Sequence, residues 1–137
     1  TPPLREEYPR VADALKGPVY GDDFYEVIAE SKIILTIPND PAISIGSIRP
    51  MGTFEPPAAE TFQIALDNAD TRRIFNPGTE ISVFKDSDDL YQQIHYYLNN
   101  PDERNKIASN SHDRFLAEYT AETQIKSLIR EIGDADE

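Results

Sequence analysis

The residues best suited to chemistry in this chain lie in the segment RPMGTFEPPAAE, which runs from Arg49 to Glu60. Its arginine can bind a phosphate group, and its two glutamates can accept hydrogen bonds from hydroxyl groups. Gly52 permits a tight backbone turn, Thr53 is predicted to cap a short helix, and Glu55 falls in the first turn of that helix. A loop that opens into a helix exposes backbone N–H groups, so the segment predicts a site for a phosphate-bearing ligand.

Each of these charged residues also has a purely structural interpretation. Glu55 could act only as a first-turn acid that complements the helix dipole. Glu60 could be a solvated helix residue, and Arg49 could be an exposed loop residue. The elements that flank the segment therefore matter, because they decide where it lies in the fold.

The flanking sequence predicts strands that alternate with helices. Apolar, partly β-branched runs predict strands at residues 33–37, 62–66 and 81–84, and residues 19–20 form a shorter strand candidate. Helical spacing of apolar residues predicts helices over residues 5–16, with a start near Pro9, and over residues 70–75. Capping signals predict four more helices, with starts at a cap at Asp22, a cap at Ser87, the pair Asn100 and Pro101, and a cap at Thr120.

This alternation predicts an α/β fold with a parallel sheet. Ligands of such sheets bind beyond the carboxyl ends of the strands. Residues 39–52, which form a predicted loop, follow one of these ends and lead into the segment from Arg49 to Glu60. Asp67 follows the next strand, where it could either line a cleft or cap a helix.

Composition narrows the function classes. The 137 residues suit one domain, expected over residues 1–132 and followed by a disordered acidic tail over 133–137. The net charge of −12 argues against partners such as nucleic acids and anionic lipids. The chain contains no cysteine and only two well-separated histidines, so no metal or other cofactor is predicted. No apolar run is long enough to span a membrane and no signal peptide is visible, so a cytoplasmic protein is expected.

Several short motifs follow one another in a specific order: PVYG at 18–21, SKIIL at 31–35, FEPPAA at 54–59, IFNPGTE at 74–80 and YYLNNPDER at 96–104. Together they resemble the C-terminal region of spore-maturation-type (CgeB-like) glycosyltransferases, over roughly residues 17 to 130. The resemblance implies the GT-B architecture, in which two Rossmann-like domains face each other and the C-terminal one binds the nucleotide-sugar donor. It thus implies a Rossmann-like parallel sheet flanked by helices and ending in a helical segment.

The resemblance also implies roles for individual residues. In the family pattern, a glutamate after a phenylalanine contacts the ribose of the nucleotide, and Phe54 and Glu55 match these positions. Two positions depart from the pattern, because Glu60 replaces a glycine and Gly52 replaces an arginine. Arg49 is the nearest arginine and is the candidate contact for the phosphate.

The implied ligand is a UDP- or GDP-type sugar nucleotide. The resemblance further implies an N-terminal acceptor domain outside this chain, so the chain alone is not expected to transfer sugar, and no catalytic residue is assigned. Two other functions stay open: a non-catalytic interaction domain that retains the fold, and, more weakly, a flavodoxin-like response or carrier domain.

Overall fold

A parallel sheet of three strands lies at the centre of the computed structural model, which describes residues 4–37 and 52–134. The strands are β1 (Ile34–Thr36), β2 (Gln63–Leu66) and β3 (Ser82–Phe84), in the order β1-β2-β3. Leu35 pairs with Ile64, and Ala65 pairs with Val83. These strands and the helices between them confirm the predicted α/β class.

The central strand β2 carries the core on both of its faces, because successive side chains of a strand point in opposite directions. Ile64 is fully buried on one face, in a cluster with Phe62, Phe84, Tyr97, Ile107 and Ala108. Ala65 is buried on the other face, in a cluster with Ile74, Phe75 and Ile81. The sheet is therefore covered on both sides, as expected for a parallel sheet.

Eight helices occur within the described residues. They are α1 (Leu4–Glu7), α2 (Pro9–Ala14), α3 (Asp22–Glu30), α4 (Glu55–Ala58), α5 (Ala69–Ile74), α6 (Ser87–Asn99), α7 (Pro101–Glu118) and α8 (Ala121–Asp134). The predicted starts at Pro9 and Pro101 are confirmed. The last helix extends two residues beyond the predicted end of the domain at residue 132.

The predicted caps of α6 and α3 are each wrong by one residue. The cap of α6 is Asp86, whose carboxylate accepts a hydrogen bond from the backbone N–H of Asp89 at 2.9 Å, and Ser87 is already helical. The cap of α3 is Gly21, which has a positive φ of 59° that suits glycine. The cap at Thr120 is confirmed, because its hydroxyl accepts from the N–H of Thr123 at 3.2 Å.

The strand predicted at residues 19–20 is absent from the structure. Tyr20 is 79% exposed, and this pair of residues forms no ladder with any strand in the described part of the chain. A run of two residues forms a strand only when a neighbouring strand supplies the hydrogen bonds.

Strand β1 forms as predicted but is not fully buried. It pairs with β2 on one side, and within the described ranges no strand lies on its other side. Leu35 and Ile37 are accordingly exposed, whereas Thr36 is buried.

Helix α8 also exposes an apolar surface, which we term the α8 stripe: Ile125, Leu128, Ile129 and Ile132. None of the described helices is both long and apolar enough to cross a lipid bilayer.

Candidate functional site

Helix α4 begins at Glu55, and its N-cap is Phe54. The carbonyl of Phe54 accepts the first helical hydrogen bond from Ala58 N at 2.9 Å, so the prediction that Thr53 caps the helix is wrong by one residue. The Glu55 carboxylate turns back and accepts a hydrogen bond from the N–H of Phe54 at 3.2 Å. Because α4 has only four residues, it aligns few peptide dipoles, and side-chain chemistry must supply most of any ligand contact.

The side chain of Phe54 anchors the start of α4 in the protein. Its ring centroid lies 4.9 Å from that of Tyr119, 6.3 Å from Phe75 and 6.4 Å from Phe115. Tyr119 is itself fixed, since its hydroxyl donates to the carbonyl of Ile74 at 3.2 Å. Contacts between aromatic rings at these distances stabilise the packing, so the backbone leading into Glu55 is held in place.

A cavity of about 480 Å³ lies beside β1, and Glu55 is part of its wall. Thr36 and Ile37 at the carboxyl end of β1 line it together with Gly52. Most other lining residues are apolar side chains of α3 and β1, such as Phe24 and Ile34, and among the described residues Glu55 is the only ionisable group in the lining. The half-buried Glu55 carboxylate thus borders an otherwise largely apolar cavity.

Gly52 requires the conformational freedom of glycine. Its φ is 95°, a value that side chains of L-residues rarely adopt. This backbone geometry favours glycine at position 52 of this chain, where the resemblance implies arginine. Arg49, the other candidate for the phosphate contact, lies outside the described residues and stays a prediction.

Gln63 hydrogen bonds two residues of this cavity lining, Thr36 and Gly52. It lies in β2, is only 3% exposed, and its Nε2 donates to Thr36 Oγ1 at 2.5 Å and to the carbonyl of Gly52 at 3.3 Å. Its Oε1 is buried without a hydrogen-bond partner among the described residues. Leaving a buried acceptor unpaired costs about 1–3 kcal/mol. No role of Gln63 was predicted from the sequence. The one feature that could have indicated it is that Gln63 is a single polar residue in an apolar run.

Glu60 lies away from Glu55, at the other end of α4 and near the amino end of β2. It borders a second cavity, of about 360 Å³, whose lining includes Lys32 and Arg104. Glu60 N donates to the carbonyl of Pro57 at 3.1 Å and Thr61 N donates to that of Pro56 at 2.8 Å.

These two bonds form a Schellman motif, in which the residue after the C-cap adopts a left-handed conformation. Glu60 is that residue, with a φ of 53°, and no other non-glycine residue of the described chain has a positive φ. The glycine of the family pattern thus falls on a position whose conformation favours glycine.

The carboxyl ends of β2 and β3 carry further charged residues. Asp67 accepts two hydrogen bonds from Arg72, at 2.6 and 2.8 Å. This pairing holds the pKa of the Asp67 carboxyl below its usual value. The cap of α5 is the neighbouring Asn68, which accepts from Thr71 N at 2.9 Å, so Asp67 forms an ion pair instead of a cap.

Hydrogen bonds from the Gln93 side chain and the Lys85 backbone likewise lower the pKa of Asp89.

Two other polar residues have structural roles. Glu80 holds the turn before β3, because its carboxylate accepts a hydrogen bond from Asn76 N at 2.8 Å. His112 contacts the carbonyl of Pro57 at 2.8 Å and thereby connects α7 to α4. No cluster of three or more potential metal ligands occurs among the described residues.

The model of a family described as "Glycosyl transferase-like" matches residues 3–130, which is nearly the whole chain. No matching curated protein was found. No matching solved structure was found either.

Proposed function

The chain belongs to the glycosyl transferase-like family, and we propose that it binds the nucleotide of a sugar-nucleotide donor at the cavity beside β1. The order of its motifs favours the CgeB-like type within this family. The donor is a UDP- or GDP-type sugar, and the acceptor is bound by a domain outside this chain. In this arrangement the 137-residue chain binds the donor but does not transfer its sugar.

The observation that carries this proposal is the position of the Glu55 carboxylate. It is half-buried and borders a cavity of about 480 Å³ whose other side chains are mostly apolar. A ribose presents two neighbouring hydroxyl groups, and an ionised carboxylate accepts hydrogen bonds from both. The apolar walls, which include Phe24 and Ile37, can pack against a nucleobase.

The structure of α4 also supports a binding role for Glu55. Its backbone is held by the aromatic contacts of Phe54, which reduces the freedom that the carboxylate would lose on binding. Glu60 lies at the opposite end of α4 and borders a different cavity, so it does not place a second negative charge in this cavity wall.

Isothermal titration calorimetry of the chain with UDP and with GDP tests the proposal. We expect one of them to bind, and Glu55→Gln to weaken that binding about 10- to 100-fold, because hydrogen bonds to a charged group contribute about 1.5–3 kcal/mol. Glu60→Gln is the matched control: it makes the same chemical change five residues away and should leave the affinity unaltered.

Two outcomes would contradict the proposal. One is the absence of binding by the unaltered chain to UDP, GDP or their sugars. The other is an equal loss of affinity in the Glu55→Gln and Glu60→Gln variants, which would show that the effect is one of overall charge.

A non-catalytic interaction domain is the second candidate function. The observation that favours it is the α8 stripe, in which four large apolar residues of one helix are exposed. A chain that binds neither nucleotide but forms a stable complex that protects α8 from hydrogen exchange would support this alternative.

A further inference from the structure

Gln63 is a polar residue in a position where the fold favours an apolar one. It lies in the central strand, between the buried residues Phe62 and Ile64, and is itself buried. Only the nitrogen of its side-chain amide forms hydrogen bonds, since Oε1 has no partner among the residues that the structure describes. An apolar side chain of similar volume would avoid this unpaired acceptor, but it would also remove the two hydrogen bonds that Nε2 donates, so what the glutamine adds is the connection that these bonds make.

The contacts of the Gln63 amide connect two chain segments that border the donor cavity. Nε2 donates to Thr36 Oγ1 at the end of β1 and to the carbonyl of Gly52. Thr36 and Gly52 both belong to the cavity lining, whereas Gln63 does not. A single amide group therefore fixes the distance between the strand end and the turn.

The turn at Gly52 needs such a contact because its backbone geometry is irregular. Gly52 has a φ of 95° and belongs to no helix or strand, so no regular ladder orients its carbonyl group. The ring of Phe54 is anchored by its aromatic contacts, but its backbone N–H, two residues after Gly52, donates to the Glu55 carboxylate at 3.2 Å. A rotation at Gly52 would move this donor and with it the carboxylate.

We infer that Gln63 is a positioning residue for donor binding: it holds Gly52 against Thr36 and thereby orients Glu55 toward the ribose. This inference rests on the proposed function of the cavity. Gln63 does not contact the ligand itself, and it acts only through the backbone that carries Glu55.

The test compares two glutamines that receive the same substitution. Gln63→Met keeps the length of the side chain but removes the amide, and we expect UDP or GDP, whichever binds the unaltered chain, to bind about tenfold more weakly. Gln93→Met is the matched control, because Gln93 also hydrogen bonds through its amide, to Val83 and Asp89, but lines a different cavity. Its substitution should lower the urea midpoint and leave the nucleotide affinity unchanged.

A double-mutant cycle separates positioning from a general structural effect. If Gln63 acts through Glu55, Gln63→Met should have little further effect on affinity in a chain that already carries Glu55→Gln. Should Gln63→Met fail to fold, Gln63→Asn replaces it, since the shorter amide cannot reach Gly52, and the same loss is expected.

The outcomes distinguish the two proposals. Nucleotide binding by the unaltered chain that is equally strong in the Gln63 variant, or additive effects in the cycle, would overturn the positioning role and leave the donor site intact. Absence of nucleotide binding by the unaltered chain would overturn both.

Discussion

The two ends of α4 differ in what their glutamates do. At the start, Glu55 is half-buried, borders a largely apolar cavity at the carboxyl end of β1, and follows an aromatic anchor. At the end, Glu60 is exposed near the amino end of β2 and holds a left-handed conformation that completes the Schellman motif. Two identical residues five positions apart thus lie in different surroundings, one in the wall of a cavity and the other at a backbone position with a left-handed conformation.

This difference explains what the glutamate at position 60, where the family pattern has glycine, affects in this chain. In the sequence, Glu60 is a departure from the glycine of the family pattern. The structure provides a conformational reason for glycine at that position, because only glycine adopts a φ near 53° without steric cost. Glu60 therefore concerns the stability of the chain, and the proposed donor site depends on Glu55.

The largest effect is expected from the anchor at the start of α4. Phe54→Ala removes the contacts with Tyr119, Phe75 and Phe115, and we expect a loss of about 3 kcal/mol in the free energy of unfolding. Urea denaturation followed by circular dichroism measures this loss. Tyr91→Ala is the control, because Tyr91 is exposed and its truncation should cost less than about 0.5 kcal/mol. Equal losses in the two variants would show that Phe54 is not an anchor.

A smaller effect of opposite sign is expected at the end of α4. Glu60→Gly relieves the left-handed strain and should raise the free energy of unfolding by about 1 kcal/mol. Glu60→Ala retains the Cβ that causes the strain, so it should give no comparable gain. Thermal melts of the three chains measure the difference, and equal stability of the glycine and alanine variants would contradict the conformational explanation. Nucleotide affinity should be the same in all three.

The smallest effect is expected at the ion pair of Asp67 with Arg72, at the carboxyl end of β2. Because the pKa of Asp67 is lowered in the folded chain, the pair contributes its full stabilisation at pH values above about 3.9, the usual pKa of an aspartate. This contribution is lost as the pH falls through the lowered pKa of the folded state. Asp67→Asn should therefore be slightly less stable than the unaltered chain near pH 6, with a difference that shrinks below about pH 4.

The partner of this carboxylate provides the check. Urea denaturation at a series of pH values should show the same weakening of the pH dependence in Arg72→Gln, since it removes the same pair from the other side. An unchanged pH profile in both variants would show that solvent screening cancels the pair.

Much of the fold could be predicted from sequence because it depends on local patterns. The apolar runs that became β1, β2 and β3 are short and bounded by turn residues, and Asn100 and Pro101 specify the start of α7. The capping residues were harder to predict, since adjacent polar residues such as Asp86 and Ser87 can each serve. The choice between them depends on which carbonyl accepts the first helical bond.

Periodicity predicts the apolar face of a helix but not what covers it. The buried face of α7 has the same i, i+3, i+4, i+7 spacing as the α8 stripe, yet its apolar members Ile107 and Ala108 are buried in the core and the stripe is exposed. Gln63 illustrates the same limit within the site. The inferred role of Gln63 depends on its hydrogen bonds to Thr36 and Gly52, which are distant in sequence and contact it only in the folded chain.

The left-handed conformation of Glu60 has a consequence for the genetics of this protein. Both glutamate codons, GAA and GAG, become glycine codons when their middle base changes from A to G. The strain-relieving substitution is therefore one transition mutation away, whatever codon the gene uses. Error-prone amplification followed by selection for heat resistance should recover Glu60→Gly early, before combinations of substitutions that need two base changes in one codon.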